Sequence, residues 1–235
     1  MPHCQNPRAV AILEAMSAIP IRGLVLAGGR SRRFGGVDKT FAELCGRPLW
    51  EHVLTRLAPQ VDAMAISSND RSGRLETCLH QFAGPLRFRA GSAEPASVAV
   101  IPDLIAGHLG PLAGIHAGLR AWPDCFLATV AVDLPFIPPN LVERLVAGLR
   151  SGRCAYATDG TRHALAVLWG PGNAASVEAF LSKGGRSVHE WLERNGDPVR
   201  FTAPADGTLF SNINTPHDLE LAERQLQESG HCRDE

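Results

Sequence analysis

The densest chemistry in the chain lies in one run, Leu26-Ala27-Gly28-Gly29-Arg30-Ser31-Arg32-Arg33-Phe34-Gly35-Gly36-Val37-Asp38-Lys39, directly after an apolar stretch. Glycine lets a backbone turn freely and bring its N–H groups close to an anion. Two glycine pairs at the end of a strand, with Arg32, Arg33 and Lys39 beside them, therefore suit a bound polyphosphate. Two familiar phosphate loops fail on spacing. A Walker loop needs glycine immediately before its lysine, where this chain has Asp38, and a dinucleotide fingerprint needs G-x-G-x-x-G, which Gly28-Gly29-Arg30 does not begin.

A second chemical feature is Asp133, which follows the apolar run Phe126 to Val132 and precedes a proline-rich turn. Its carboxylate should stand at the carboxyl edge of a sheet. Mg²⁺ is a hard cation that takes one or two carboxylates and completes its shell with phosphate oxygens, so Asp133 is assigned to the metal; a helix cap is the simpler alternative. Asp103 follows another strand candidate, and Gly110-Pro111-Leu112-Ala113-Gly114 passes from a loop into a helix start, where Gly110 and Gly114 would admit a base or ribose close to the backbone. No Ser/His/Asp or Cys/His constellation calls for a covalent mechanism.

The elements that must position these residues can be read from periodicity. Apolar or β-branched runs at Arg22 to Ala27, Val61 to Ser67, Ser97 to Ile101, Phe126 to Val132 and Ala164 to Trp169 read as strands. Several are apolar throughout, as expected of a mostly parallel sheet covered on both faces, a three-layer α/β/α arrangement. Helices are expected at Pro48 to Leu57, at Leu112 to Trp122, from Pro138 or Pro139 to Leu149, and at Thr215 to Gln227. The last opens with Thr215-Pro216-x-Asp218, a capping sequence that leaves Asn212 and Asn214 on the preceding loop. Between Gly170 and Phe201 the pattern is weaker and suggests a helix pair and little more, with Gly184-Gly185 and Asn195-Gly196 as turns.

Bulk properties narrow the class. Of 235 residues, 45% are apolar and 20% charged, with a net charge of −1, so an anion site must be built locally and nucleic acid is not an expected partner. No run approaches the ~20 apolar residues of a membrane span. Six scattered cysteines show no C-x-x-C pair, and they read as core or surface thiols in a reducing cytoplasm. The run Ala9 to Ile19 is interrupted by Glu14 and reads as an extra amphipathic helix or a misplaced start site, not a signal peptide.

Taken together, the motifs resemble one family. The loop L-A-G-G-x-x-x-R-x-G-G-x-D-K is similar to the signature of molybdenum cofactor guanylyltransferases of the MobA type. Gly110 to Gly114, Val132-Asp133-Leu134-Pro135-Phe136-Ile137-Pro138 and Asn212-Ile213-Asn214-Thr215-Pro216 are similar to family motifs in the same order. The resemblance spans Arg22 to Gln227. It implies an α/β, Rossmann-like nucleotidyltransferase fold, GTP as donor, Mg²⁺ as cofactor, and attack by a terminal phosphate of Mo-molybdopterin on the α-phosphorus with release of pyrophosphate. Leu26, Ala27, Gly28, Gly29, Lys39, Asp103, Gly110, Gly114 and Asp133 would then line the nucleotide, with Lys39 on the triphosphate and Arg33 close behind.

A polar donor contact after the second strand falls on Ser67 by ungapped alignment and on Asn69 by residue type. For the acceptor, the candidates are Arg162, His163, Lys183, Arg186, Asn212 and Asn214; where relatives commonly carry His-Pro, this chain has His163-Ala164. Molybdoenzyme apoproteins or their chaperones would be the downstream partners. The expected layout is an extension over 1–21, a single nucleotidyltransferase domain over 22–228 and a tail over 229–235, in a cytoplasmic protein. Cytidylyl transfer from CTP to the same pterin and a sugar-phosphate nucleotidyltransferase are the alternative activities; a catalytically silent nucleotide-binding protein is the alternative of a different class.

Overall fold

The computed structural model describes residues 19–27, 38–82, 86–89, 98–105, 110–202 and 209–228. The strands are β1 (Ile21–Leu26), β2 (Glu43–Leu44), β3 (Arg47–Pro48), β4 (Ala63–Ser67), β5 (Ala99–Ile101), β6 (Phe126–Ala131), β7 (Cys154–Thr158), β8 (Arg162–Trp169) and β9 (Gly196–Arg200). The helices are α1 (Leu49–Leu57), α2 (Arg74–Gln81), α3 (Pro111–Ala121), α4 (Leu141–Gly148), α5 (Ala174–Ser182), α6 (Val188–Asn195) and α7 (Pro216–Glu228). Seven strands form one sheet in the order β5-β4-β1-β6-β8-β7-β9, and β2 and β3 form a small hairpin. Only β8 runs against the rest of the large sheet.

Alternation along the strands builds the two outer layers. Val25 packs into a core with Val53 and Leu57 of α1 and with Leu141 and Leu145 of α4. Its neighbours Leu24 and Leu26 point the other way, to Leu112, Ile115 and Leu119 of α3 and a layer continued by Val177 of α5 and Trp191 of α6. Helix α3 lies unusually close to the sheet: a Cβ on Gly118 would meet Leu24 Cδ2 at 2.7 Å and Leu127 Cδ2 at 3.0 Å.

The chain order decides where ligands can sit. From β1 it moves outward to β4 and β5, then returns to the opposite side of β1 as β6. The carboxyl ends of β1 and β6 therefore diverge at a topological switch point, the crevice where open α/β sheets bind ligands. Hydrogen bonds continue the ladder past the strand ends: Ala27 N–H to the Ser67 carbonyl at 2.9 Å, Val132 N–H to Leu26 at 3.0 Å, and Ser68 N–H to Ile101 at 3.1 Å.

The five expected strands and four expected helices are present, with ends shifted by at most three residues; Ser97 lies outside the described residues. The helix pair expected after Gly170 is α5 and α6. Asn195-Gly196 is not a loop, because α6 runs straight into β9, an edge strand paired only with β7 that tolerates Pro198 for that reason. Helix α2, β7 and the β2–β3 hairpin have no counterpart among the expected elements. Among the described residues one cysteine departs from the thiol reading: Cys45, at the tip of that hairpin, is disulfide-bonded, whereas Cys78, Cys125 and Cys154 are free. Among the described residues no helix is long and apolar enough to cross a membrane.

Candidate active site

Lys39 opens a single 3₁₀ turn, Lys39–Phe41, whose position is fixed from both sides. Asp38 caps it by accepting the Thr40 N–H at 2.9 Å, and the buried Thr40 hydroxyl donates to the Ala27 carbonyl at 3.4 Å, tying the turn to the end of β1. The Arg74 guanidinium lies 3.8 Å over the Phe41 ring, joining the same turn to the start of α2.

From this turn the Lys39 ammonium donates to Asp133 Oδ2 at 2.7 Å and to Asn214 Oδ1 at 2.9 Å. These partners stand 94 and 175 residues further along the chain. Adjacency of β1 and β6 brings Asp133 across the switch point. Asn214 arrives on the loop before α7, which is fastened to the aspartate turn by Ile213 N–H to the Asp133 carbonyl at 3.0 Å and Phe210 N–H to the Phe136 carbonyl at 3.4 Å.

The second oxygen of Asp133 is buried and has no hydrogen-bond partner among the described residues. A bare carboxylate oxygen suits a hard divalent cation. No group of three or more His, Cys, Asp or Glu side chains gathers among the described residues. The described residues therefore fit a cation shared between one carboxylate and a phosphate-bearing ligand.

Further along the same edge, Asn69 and Asp103 hold each other: Asn69 Nδ2 donates to Asp103 Oδ2 at 2.6 Å, and the Asp103 N–H donates to Asn69 Oδ1 at 2.9 Å. They lie past the ends of β4 and β5, with Asn69 exposed and Asp103 half-buried. Ser67 is instead buried beneath α3, where a Cβ on Gly114 would press into its hydroxyl. Gly110 caps α3 with φ of 75° and ψ of −166°, a backbone state essentially confined to glycine.

Because β8 is antiparallel, its first residues, Arg162 and His163, reach the edge where the parallel strands end. Arg162 Nη1 donates to Glu193 Oε1 and to the His189 carbonyl, each at 3.2 Å. His163 is nearly buried, its ring stacked on Phe210 with centroids 4.4 Å apart. His163 Nε2 lies 3.0 Å from Asp159 Oδ1, yet it forms no well-directed hydrogen bond, so the pair is a close electrostatic contact. Burial opposes ionisation of the Asp159 carboxyl, but the Thr161 N–H and the neighbouring His163 outweigh it and hold the group below the usual carboxylate range.

Arg186 curls over its own loop, Nη1 donating to the Leu181 and Gly185 carbonyls at 2.6 Å each, and its carbonyl lies 3.9 Å from where a Gly110 Cβ would stand. Lys183 and Asn212 are exposed. Of the residues expected at the site, the fold thus joins Lys39, Asp133 and Asn214 in one cluster and Asn69 with Asp103 in another. Leu26 ends β1 and Ala27 follows it; Gly28, Gly29 and Arg33 lie outside the described residues. Thr40, Arg74 and Phe210 carry no sequence signal, since each acts through a tertiary contact.

A family model described as the MobA-like NTP transferase domain matches residues 23–199. A curated relative from Yersinia pestis (strain Pestoides F), named molybdenum cofactor guanylyltransferase, is 36% identical over 207 residues, covering 87% of this chain and 96% of its own. One from Yersinia pseudotuberculosis serotype IB (strain PB1/+) bears the same name and gives the same figures. Among solved structures, molybdopterin-guanine dinucleotide biosynthesis protein A from Archaeoglobus fulgidus superposes with a TM-score of 0.64 at 26% identity, covering 88% of this chain and 99% of that one. A 4-diphosphocytidyl-2C-methyl-D-erythritol synthase from Anaerococcus prevotii reaches a TM-score of 0.65 at 14% identity over 91% and 99% of the two chains, a likeness of fold alone. The chain belongs to the MobA-like NTP transferase family and is a nucleotidyltransferase.

Proposed function

We propose that this enzyme transfers GMP from Mg²⁺-bound GTP to the terminal phosphate of Mo-molybdopterin, yielding molybdopterin guanine dinucleotide and pyrophosphate. The observation that carries the reading is the Lys39 ammonium held between Asp133 and Asn214 at the switch point, with one Asp133 oxygen unpartnered among the described residues. In the reaction an acceptor phosphate oxygen forms a bond to the α-phosphorus of GTP while the bond from that phosphorus to the pyrophosphate oxygen breaks. The attacking phosphate is already anionic at neutral pH, so the protein has no proton to remove and must supply position and positive charge.

Each cluster has a part in that task. Lys39 transfers its hydrogen bond from Asp133 Oδ2 to the triphosphate and offsets the charge that builds on the leaving pyrophosphate. Asp133 would hold the Mg²⁺, which would supply charge neutralisation to the triphosphate. Asn69 and Asp103, locked in a fixed mutual geometry, meet the guanosine beside Gly110. Lys183, Arg186 and Asn212 offer donors to the acceptor phosphate and pterin.

The test incubates the protein with Mg²⁺, Mo-molybdopterin and each nucleoside triphosphate in turn. Pyrophosphate release with GTP alone is the expected result; release with CTP alone would move the enzyme to cytidylyl transfer. Asp133→Ala should abolish turnover while GTP still binds, and surviving turnover would remove Asp133 from the metal.

A further inference from the structure

We infer that His163 and Phe210 form a latch that sets the position of Asn214, which makes His163 a positioning residue and not a ligand of the acceptor; its effect on turnover rests on the function proposed above. The starting point is backbone conformation. Phe210 has φ of 59° and is one of two non-glycine residues with positive φ among the described residues. A bulky side chain persists in that region only where its surroundings impose it.

Three contacts do so. The ring is buried with its face on His163, 22° from parallel, and stands edge-on to Phe201 with centroids 5.3 Å apart. Its N–H donates to the Phe136 carbonyl at 3.4 Å. His163 is itself immobile, because it belongs to the second residue pair of the β7–β8 ladder and its Nε2 rests 3.0 Å from Asp159 Oδ1. Asp159 is pinned in turn by the Thr161 N–H at 3.0 Å. Phe210 is thus docked on the edge of the sheet, and the chain leaves it in a direction that an ordinary negative φ would not give.

The segment from Ser211 to Thr215 takes its course from that direction. Ile213 is buried and bonded to the Asp133 carbonyl, and the Asn214 and Thr215 N–H groups donate to Asp218 Oδ2 at 2.9 and 2.8 Å. With the backbone clamped at both ends, the Asn214 side chain is delivered to Lys39. His163 meanwhile has one ring face on Phe210 and Nε2 on Asp159, so little of it is left for a pterin or a phosphate.

Four variants test the latch in the full-length protein: His163→Ala, His163→Phe, Asn214→Ala and the double His163→Ala/Asn214→Ala. Acetylation of Lys39 by limiting acetic anhydride, followed by mass spectrometry without any nucleotide, reports the Asn214 contact directly. Losing that one hydrogen bond should raise the Lys39 labelling rate about fivefold. His163→Ala and Asn214→Ala should do so equally, the double variant no further, and His163→Phe, which keeps the stacked ring, should stay near wild type. With GTP and Mo-molybdopterin, kcat should fall in parallel with the labelling change and recover in His163→Phe.

Additive effects in the double variant, or a His163→Phe protein as impaired as His163→Ala, would overturn the proposal, since a direct ligand or a general packing role predicts those results. If His163→Ala does not fold, His163→Leu, which fills the space without an aromatic face, replaces it and should behave as Asn214→Ala does. Labelling requires no turnover, so a protein inactive with GTP would refute the proposed function and leave the latch to be judged on labelling alone.

Discussion

Substituting Gly114 by alanine, alone and with Ser67 changed, decides which polar residue at the end of β4 meets the nucleotide. An alanine Cβ at position 114 would lie well inside 3.0 Å of Ser67 Oγ, 3.2 Å from Ser67 Cβ and 3.4 Å from Leu26 Cδ2. Forcing an extra methyl into a packed site costs about 1–3 kcal/mol, whereas replacing glycine by alanine within a helix gains up to about 1 kcal/mol. Gly114→Ala should therefore destabilise the protein by up to ~2 kcal/mol, or up to ~8 °C in Tm for a domain of this size. Ser67→Ala removes the oxygen that clashes most, so in that background the same change should be close to neutral or stabilising, a coupling of about 1–2 kcal/mol. Urea denaturation of the four proteins measures it. The functional half of the prediction is that Ser67→Ala leaves KM for GTP alone, while Asn69→Ala raises it roughly tenfold. The reasoning fails if Gly114→Ala is fully stabilising with Ser67 intact, or if Ser67→Ala weakens GTP as much as Asn69→Ala.

Asp133→Asn removes the charge that the Lys39 ammonium meets at 2.7 Å between side chains only 15% and 22% exposed. With the pair worth on the order of 1 kcal/mol, removing this competitor for the Lys39 ammonium should tighten GTP in EDTA about fivefold even as turnover with Mg²⁺ falls by roughly a hundredfold or more; weaker metal-free binding by calorimetry would contradict this. In the core, Trp169 Nε1 donates to Thr129 Oγ1 at 3.0 Å, and that hydroxyl donates to the Val167 carbonyl at 3.2 Å. Thr129→Val orphans the buried indole N–H and should cost about 1–3 kcal/mol in a denaturant titration. The Asn214 N–H, and after it Thr215, holds the Asp218 carboxyl below its ordinary range. A depressed folded pKa contributes stability above the unfolded value, about 3.9, and loses it as pH falls through the folded one. The gap in denaturation midpoint between wild type and Asp218→Ala should hold constant above about pH 5 and close below about pH 4.

The signals legible in the chain are local. Apolar strands and capping sequences are short-range patterns, and in a parallel sheet the residues just after each strand converge on one edge, so Lys39 and Asp133 can be assigned to one site without knowledge of their contact. Strand β9 is hidden because Gly196 and Pro198 disfavour strands in isolation, and only its place at the sheet edge permits them. The packing of the histidine is hidden for a similar reason: at the start of a strand near the site, His163 has the chemistry of a ligand, and its stacking partner lies 47 positions on, at Phe210, beyond any local pattern.

The ambiguity between Ser67 and Asn69 turns on pleat parity, which the sequence does contain once the strand neighbours are known. Ser67 is the register partner of Leu26 across the parallel β1–β4 pair, and partners in adjacent strands point to the same face. Leu26 packs with Leu112 and Ile115 of α3, so Ser67 must turn toward that helix and away from the crevice. Asn69 lies beyond the last strand residue, is released from the alternation, and can turn to Asp103 at the rim where a nucleotide would lie.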